Sequence, residues 1–277
     1  MGVQLTLFGG NCNLLTRVSD DALGRLAINQ LNHYGVKNKL VEFEKNESRI
    51  SFAIVETTVK DHQSIIYRHK ASDLFLNKDD VENANIQNFD CVLITGTALA
   101  AEPSRTSTLL ALKKAKDAKV PVIFDVDYRP YTWQSEEEAS KIYLEASKFS
   151  NILIGNDDEF GVIAQNYDHG LEKAKDLSKK ISIVIYKKGE KGSATFYDNN
   201  LLETGIFPVE PLKPTGAGDA FMGGFVGSLL NDKNIEEAIK IGSASAAIVV
   251  TKVGCSSAMP LQNEIDEFIK NNKINKE

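Results

Sequence analysis

The sequence predicts an α/β fold, built on a mainly parallel β-sheet that is flanked by helices on both faces. From residue 90 onward, short and continuously apolar segments alternate with longer segments that have the period of amphipathic helices. Strands that are apolar along their whole length are typical of a parallel sheet covered on both sides. With 277 residues, of which 42% are hydrophobic and 25% charged, the chain is long enough to bury a substantial core.

Regular elements are also expected nearer the N-terminus. Asp20 and Asp21 can cap a helix whose apolar residues keep helical spacing, and Gly35 would end that helix. Two β-rich segments, residues 50–55 and 64–67, have a polar stretch between them. We expect these two segments to pair as antiparallel strands in a small β appendage to the main sheet.

The remaining elements continue the alternation of strands and helices. Strands are predicted over residues 91–95, 121–126, 152–154, 181–186, 193–197 and 201–206. Helices are predicted over residues 104–116, 136–147, 158–164, 171–179, 215–230, 235–252 and 261–271. Because no repeat, low-complexity segment or linker divides the sequence, residues 1–277 are expected to form a single domain, with residues about 50–70 contributing to a small β lid.

Composition and charge exclude several classes of protein. The formal net charge of −6 argues against a general nucleic-acid-binding protein, because no excess of basic residues would neutralise phosphates. No apolar segment is long enough to cross a membrane, and the first residues do not resemble a signal peptide. The three cysteines and four histidines lack the spacing of a metal site, and the chain is typical of a reduced, cytoplasmic protein.

The feature most indicative of function is a turn of small residues followed by a carboxylate. A helix that starts near Thr215 would direct the backbone N–H groups of its first turn towards a bound ligand. These groups belong to Ala217, Gly218 and Asp219, and they would bind an anion because they lack intrahelical partners and lie at the positive end of the helix dipole. Asp219 would then lie beside a bound phosphate, where a general base could take a proton from an attacking hydroxyl. The alternative is an ordinary tight turn with an acidic residue in the first helical turn.

Further polar residues follow the predicted strands at their carboxyl ends, where ligands bind in an open parallel sheet. The segments concerned are residues 125–130, 155–159 and 187–192, and with the glycine turn they are expected to converge on one edge of the sheet. Asn156 and Glu159 could hold a Mg²⁺ ion through water and so bind nucleotide phosphates. The alternative is a capping box, in which Asn156 caps a helix and Glu159 reaches back to the backbone of Asn156.

Two arginines at strand ends are candidates for recognising an acidic substrate. Arg129 follows a buried strand and precedes a proline, and Arg68 follows the strand that ends at Tyr67. Their guanidinium groups could bind a carboxylate with bidentate hydrogen bonds. Each arginine taken alone could equally be a solvated or structural residue.

Two other features could contribute to a nucleotide site. Gly189 and Gly192 follow a strand and would allow a flat ligand to approach the backbone, or would simply form a β-turn. Residues 243–247 form a helix face of serines and alanines that could accommodate an adenine, although close helix packing would explain them as well. A dinucleotide fingerprint is excluded because Phe221 stands where its third glycine is needed, and no P-loop spacing occurs.

Taken together, these residues resemble the ribokinase-like, or PfkB, family of sugar kinases. Residues 213–226 are similar to the C-terminal signature of that family, and the likeness extends from residues 17–24 to residues 258–260. The resemblance implies a ribokinase-like fold and the phosphorylation of a sugar hydroxyl by ATP and Mg²⁺. It implies that Asp219 is the catalytic base with Gly216, Ala217 and Gly218 as the anion hole, that Asn156 and Glu159 bind Mg²⁺ through water, and that ATP is bound by Lys187, Gly189, Gly192, Ser243, Ala246 and Asn156.

Within the family, the chain is most similar to kinases of sugar acids. The similar stretches are residues 67–74, 124–133 and 243–250, and they imply 5-dehydro-2-deoxygluconate, an intermediate of inositol breakdown, as the substrate. Kinases of 2-dehydro-3-deoxygluconate have a similar arginine–proline segment, and a kinase of this type or another PfkB sugar kinase is the alternative. The substrate-binding residues that the resemblance implies are Arg68, Arg129 and Asp127. Members of the family often dimerise through their β appendage, so a homodimer is a further expectation.

The sequence departs from the family in two places. Family members usually begin with a strand and a Gly-Gly segment that belong to the sugar site, whereas residues 2–5 are similar to the helix that follows these elements. An N-terminal strand region is therefore expected to be missing, and a non-catalytic nucleotide-binding remnant is the alternative to an active kinase. Lys213 stands where many members have an aspartate that helps to bind a monovalent cation, and its ammonium could supply that charge. We therefore expect activity that is largely independent of K⁺.

Overall fold

The structure, a computed structural model, describes residues 1–55 and 64–275 of the chain. These residues belong to two compact units, of which the first is formed by Met1–His69 with Gly205–Glu277 and the second by Lys70–Thr204. Residues 56–63, which are the connection within the predicted β lid, lie outside the described residues. The expectation of a single domain stays a prediction.

The described residues form ten β-strands and ten α-helices. The strands are β1 (Asn13–Ser19), β2 (Lys37–Glu44), β3 (Phe52–Val55), β4 (Ser64–Tyr67), β5 (Val92–Thr95), β6 (Val122–Asp125), β7 (Ile152–Asn156), β8 (Ile183–Lys187), β9 (Ser193–Tyr197) and β10 (Asn200–Thr204). The helices are α1 (Gly2–Leu7), α2 (Ala22–His33), α3 (Lys78–Asn83), α4 (Ser104–Asp117), α5 (Glu136–Ser147), α6 (Asp157–Ala164), α7 (Gly170–Leu177), α8 (Ala217–Leu230), α9 (Ile235–Val250) and α10 (Gln262–Asn271). None of the described helices has both the length and the apolar character that crossing a membrane requires.

The second unit is organised around a six-stranded sheet in the order β10-β9-β8-β7-β6-β5. Strands β5 to β8 run parallel, and β9 and β10 extend the sheet with antiparallel pairing from β8. Helices α4, α6 and α7 pack against the parallel strands. The side chains of these strands that are completely buried are Val122, Phe124, Leu153, Ile154, Val184 and Ile185. The ribokinase-like prediction of a mainly parallel sheet with flanking helices is confirmed.

In the first unit, β1 and β2 form a parallel two-stranded sheet connected through α2. Asp21 caps this helix as predicted, since its carboxylate accepts hydrogen bonds from the N–H groups of Leu23 and Gly24, both at 2.9 Å. Neither strand is among the sequence predictions, although four of the five residues from Leu14 to Val18 are apolar or β-branched, as is typical of a strand. Helix α3 in the second unit is likewise an unpredicted element.

Strands β3 and β4 pair antiparallel in a small sheet of their own, as predicted. Their register places Phe52 opposite Tyr67 and Ile54 opposite Ile65, so these four side chains share one face. Each of the four side chains is about half exposed. The β appendage therefore presents an apolar face to its surroundings.

Helices α8 and α9 pack closely against each other in the first unit. Small residues at the contact permit this, since a Cβ atom on Gly224 would lie only 2.7 Å from Oγ of Ser245. Helix α1 also packs on α8, and it contains the residues predicted to be helical near the N-terminus. Its Gln4 side chain is completely buried and donates from Nε2 to the carbonyl oxygen of Pro260, at 2.9 Å. Helix α8 is therefore supported by packing from α1 and α9.

Candidate active site

The glycine turn forms the N-terminus of α8, which begins at Ala217, slightly after the predicted start near Thr215. Gly216 is the cap residue and has φ +93° and ψ −8°, a left-handed conformation that glycine adopts without strain. Among the described residues, no side chain caps this helix end. Of the three N–H groups predicted to face an anion, that of Ala217 already donates to the carbonyl oxygen of Pro214, at 3.4 Å. The backbone N–H groups of Gly218 and Asp219 are therefore the better candidates for binding an anion.

Asp219 lies in the first turn of α8, and 45% of its side-chain surface is exposed. Its Oδ1 atom is 3.2 Å from the backbone nitrogen of Met1. The positive end of the helix dipole favours a carboxylate at this position. Asp219 therefore has an accessible carboxylate in the first turn of α8, and its role as a base stays a prediction.

Lys213 lies in the segment that leads into the turn, and only 8% of its surface is exposed. Its ammonium donates hydrogen bonds to the carbonyl oxygens of Thr215 and Val249, the latter at 3.3 Å. Thr215 belongs to the turn and Val249 to the last turn of α9. The ammonium therefore connects the start of α8 with the end of α9.

In the second unit, Asn156 and Glu159 form the capping box that was the alternative to a metal site. Oδ1 of Asn156 accepts from the N–H of Glu159 at 2.8 Å, and Oε2 of Glu159 accepts from the N–H of Asn156 at 2.6 Å. The other carboxylate oxygen of Glu159 accepts from the N–H of Tyr128 at 3.2 Å. The last of these contacts has no signal in the sequence, because it joins residues that are far apart along the chain.

The carboxyl group of Glu159 is buried, and burial raises its pKa above the ordinary value of 4.5. The positive charge of Lys187 and the backbone N–H of Asn156 act in the opposite direction and favour the ionised form. Each carboxylate oxygen has two lone pairs, and the backbone contacts occupy one on each oxygen. The capping box alone therefore does not exclude the predicted binding of Mg²⁺ through water, which stays a prediction.

Asp127 and Arg129, two of the predicted substrate-binding residues, contact each other directly after β6. Oδ1 of Asp127 lies 2.6 Å from Nη2 of Arg129, and Nη1 of Arg129 donates to the carbonyl oxygen of Tyr128 at 3.0 Å. The end of β5 fixes the start of this loop, because a Cβ atom on Gly96 would lie 2.0 Å from the carbonyl oxygen of Val126. Arg68, the third predicted residue, directly follows β4 in the first unit and is half-buried.

The connection between β8 and β9 contains three of the residues predicted to bind ATP. Lys187 ends β8, while Gly189 and Gly192 have positive φ values of 59° and 80°. The N–H of Lys188 donates to the carbonyl oxygen of Gly192 at 2.7 Å, so the glycines do form a tight turn. Apart from its chain neighbours, no described atom lies within 4 Å of the place where a Cβ on Gly189 would stand. The backbone at Gly189 is therefore open to a ligand.

Of the small residues predicted to form one face of α9, some are buried in helix packing and others are partly exposed. Ala244, Ser245 and Ala247 are buried, and Oγ of Ser245 donates to the carbonyl oxygen of Ile241 at 2.8 Å. Ser243 and Ala246, the two residues predicted to contribute to the adenine site, are only half-buried. They stand three residues apart and share one side of the helix, so a ligand could contact both. Among residues 1–55 and 64–275, no group of three or more His, Cys, Asp or Glu side chains could hold a metal ion.

Comparison with known proteins decides the family. The model of the pfkB family carbohydrate kinases matches residues 3–262 of this chain. The chain belongs to the PfkB family of carbohydrate kinases. This PfkB kinase is accordingly a phosphotransferase that acts on a sugar, as the resemblance of residues 213–226 implied.

Two curated proteins similar to this chain are named 5-dehydro-2-deoxygluconokinase. The 5-dehydro-2-deoxygluconokinase of Photobacterium profundum is 36% identical over 98% of this chain and 83% of its own length. The protein of that name from Geobacillus thermodenitrificans is 35% identical over 99% of this chain and 83% of its own length.

Solved structures agree with the fold of the PfkB kinase. A fructokinase from Vibrio cholerae O395, crystallised with fructose, ADP and a calcium ion, has a TM-score of 0.86 and 24% identity, covering 97% of this chain and 88% of its own. A sugar kinase from Pyrococcus horikoshii has a TM-score of 0.84 and 22% identity, covering 97% of this chain and 86% of its own. At these identities the likeness establishes the ribokinase-like fold.

Proposed function

We propose that this PfkB kinase transfers the terminal phosphoryl group of ATP to a hydroxyl of a sugar acid, with 5-dehydro-2-deoxygluconate as the first candidate substrate. The observation that carries the kinase chemistry is the uncapped N-terminus of α8 with Asp219 in its first turn. The choice of sugar acid is supported by the relatives named 5-dehydro-2-deoxygluconokinase, at 36% and 35% identity. Arg129 is compatible with this choice, because its ion pair with Asp127 leaves other N–H donors of the guanidinium for a substrate carboxylate.

Asp219 would act as the general base in this reaction. Its carboxylate would accept the proton of the attacking hydroxyl as the new oxygen–phosphorus bond forms. The N–H groups of Gly218 and Asp219 would hold the transferring phosphoryl group, and the helix dipole would favour the negative charge that it carries. Gly216 would keep these N–H groups in position through its left-handed backbone.

Asn156 and Glu159 would hold Mg²⁺ through its bound water, and Mg²⁺ would neutralise charge on the ATP phosphates. The capping box supports this role because it orders both side chains before a metal arrives. For the nucleotide, the open backbone at Gly189 and the half-buried pair Ser243 and Ala246 offer accessible contact surfaces. Lys187 and Gly192 flank Gly189 in the β8–β9 connection and belong to the same proposed surface.

A phosphotransfer panel tests the proposal. Purified protein would be given ATP and Mg²⁺ with, in separate reactions, 5-dehydro-2-deoxygluconate, 2-dehydro-3-deoxygluconate, fructose, ribose or adenosine, and ADP release would be measured. We expect the highest kcat/KM for 5-dehydro-2-deoxygluconate and loss of turnover when EDTA removes the metal. A higher kcat/KM for 2-dehydro-3-deoxygluconate would show that this acid, and not 5-dehydro-2-deoxygluconate, is the preferred substrate. Binding of ATP without turnover of any acceptor would favour the non-catalytic alternative.

The apolar face of the β appendage supports a homodimer as part of this proposal. Phe52, Ile54, Ile65 and Tyr67 lie on one face and are each about half exposed, and a contiguous exposed apolar patch is typical of an interaction site. Sedimentation equilibrium of the wild type and of an Ile54→Glu variant would test this. We expect the wild type to be a dimer and the Ile54→Glu variant, which places a charge on the apolar face, to be a monomer. A monomeric wild type would contradict the homodimer.

A further inference from the structure

The starting observation is a buried lysine that has no carboxylate partner among the described residues. Lys213 is only 8% exposed, although lysine is almost never buried unless its charge is paired. In the part of the chain that the structure describes, no aspartate or glutamate forms an ion pair with Lys213. Its ammonium is instead solvated by main-chain oxygens, those of Thr215 and Val249. A charge kept in the interior by backbone carbonyls alone needs a reason beyond the usual surface role of lysine.

The main chain around Lys213 is attached to the same end of α9. The N–H groups of Leu212 and Lys213 both donate to the carbonyl oxygen of Val250, at 2.8 and 3.1 Å. The last carbonyl oxygens of a helix lack intrahelical partners and form the negative end of its dipole. The end of α9 therefore binds this segment in two ways, through backbone N–H groups and through the Lys213 ammonium.

The turn that follows is attached to the same helix end. Thr215 offers its carbonyl oxygen to the ammonium, and the next residue is the cap of α8. A Cβ atom on Gly216 would lie 3.1 Å from Cγ1 of Val249, so the turn also packs on the residue whose carbonyl binds the ammonium. The direction of the first N–H groups of α8 therefore depends on how firmly the turn is held against Val249.

We propose that Lys213 is a positioning residue, whose ammonium acts as a built-in monovalent cation that holds the Gly216–Gly218 turn against the C-terminal end of α9. Backbone carbonyl oxygens bind K⁺ in the same manner as they bind an ammonium group. In this chain the cation is covalently attached, so no exchangeable ion is needed at that point. The proposal rests on the proposed function to the extent that the turn binds the transferring phosphoryl group.

Removing the ammonium while leaving room for an ion gives the decisive test. Wild type, Lys213→Ala and Lys213→Met would be assayed for phosphotransfer in KCl or in tetramethylammonium chloride, at constant ionic strength. The kcat/KM of the wild type should be the same with and without K⁺. Lys213→Ala should lose about 10- to 100-fold in kcat/KM without K⁺, the loss expected when hydrogen bonds from a charged group are removed, and should recover with K⁺. Lys213→Met, whose side chain fills the space, should be impaired and should not recover.

A matched control and a second measurement separate this proposal from the kinase assignment. Lys240→Ala removes an exposed lysine from the same helix α9 and should behave as the wild type in both salts. The thermal unfolding midpoint should rise with K⁺ for Lys213→Ala alone, because an ion that binds only the folded state stabilises it. This measurement needs no substrate, so it remains valid if the phosphotransfer panel fails. The proposal is overturned if the wild type requires K⁺, if Lys213→Ala is fully active without it, or if K⁺ rescues neither the activity nor the midpoint of that variant.

Discussion

Arg129 and Asp127 form an ion pair across a single intervening residue, with 2.6 Å between Nη2 and Oδ1. The guanidinium group has five N–H donors. The ion pair and the bond to the Tyr128 carbonyl oxygen engage two of its nitrogens, so donors remain for a substrate carboxylate. Asp127 would then orient the plane of the guanidinium before the substrate arrives, which lowers the entropy lost on binding.

Replacing Arg129 by lysine should mainly weaken binding of the acid. Lysine keeps the positive charge but loses the planar arrangement of donors that matches a carboxylate. We expect KM for the sugar acid to rise about 10- to 100-fold, with a smaller change in kcat. Initial rates over a range of sugar-acid concentrations measure this, and Arg25→Lys, at an exposed arginine, is the control. If Arg129→Lys lowers turnover of fructose by the same factor, the arginine orders its loop and does not recognise the carboxylate.

Replacing Asp219 by asparagine should remove catalysis while leaving nucleotide binding intact. Asparagine has nearly the same shape but cannot accept the proton of the hydroxyl, and general-base catalysis contributes about 10²- to 10⁴-fold. We expect kcat to fall by that factor, with the ATP dissociation constant from calorimetry near the wild-type value. Asp232→Asn is the matched control, because Asp232 is exposed and its left-handed backbone suits asparagine. Wild-type turnover of Asp219→Asn would refute the base assignment.

Replacing Gly216 by alanine should impair both stability and ATP binding. A left-handed backbone costs a residue with a Cβ atom about 1–2 kcal/mol, and here the new methyl would press on Val249. Gly9→Ala is the control, since Gly9 has φ +82° but, its chain neighbours apart, no described atom within 4 Å of the place where its Cβ would stand. Urea denaturation should show a loss for both variants, whereas ATP affinity should fall for Gly216→Ala alone. An equal effect of both substitutions on ATP affinity would contradict the proposed role of the Gly216 turn in ATP binding.

The helix cap at Asp21 should make stability depend on pH. Hydrogen bonds from the N–H of Gly24 and from the Ser19 hydroxyl hold the pKa of Asp21 below its ordinary value of 3.8. Because the pKa of Asp21 is lower in the folded state, its carboxylate contributes fully to stability above the unfolded-state pKa. This contribution is lost as pH falls through the folded-state pKa. Between pH 5 and pH 3, the wild type should therefore lose unfolding free energy relative to Asp21→Asn, which keeps a cap but does not titrate. Parallel pH profiles of the two proteins in urea denaturation would contradict this prediction.

Elements whose signals are local could be predicted from the sequence. Helix α5 spans Glu136–Ser147, as predicted, because its start is set by a neighbouring cap: Oγ of Ser135 accepts from the N–H of Glu138 at 3.1 Å. Strands β1 and β2 could not be recognised as easily, because their side chains alternate irregularly between buried and exposed positions. Their assignment depends on the pairing of β1 with β2, which the helix between them makes non-local.

The amino-acid sequence by itself determined the chemistry that the first turn of α8 can perform. Its small residues permit the left-handed turn, and the next residues supply a carboxylate and N–H groups within one helical turn. Only the tertiary structure decided what holds these groups in place. The contacts of Lys213 with Val249 and of Tyr128 with Glu159 join residues that are distant in sequence. Such hydrogen bonds form only once packing has brought separate elements together, so no local spacing in the chain specifies them.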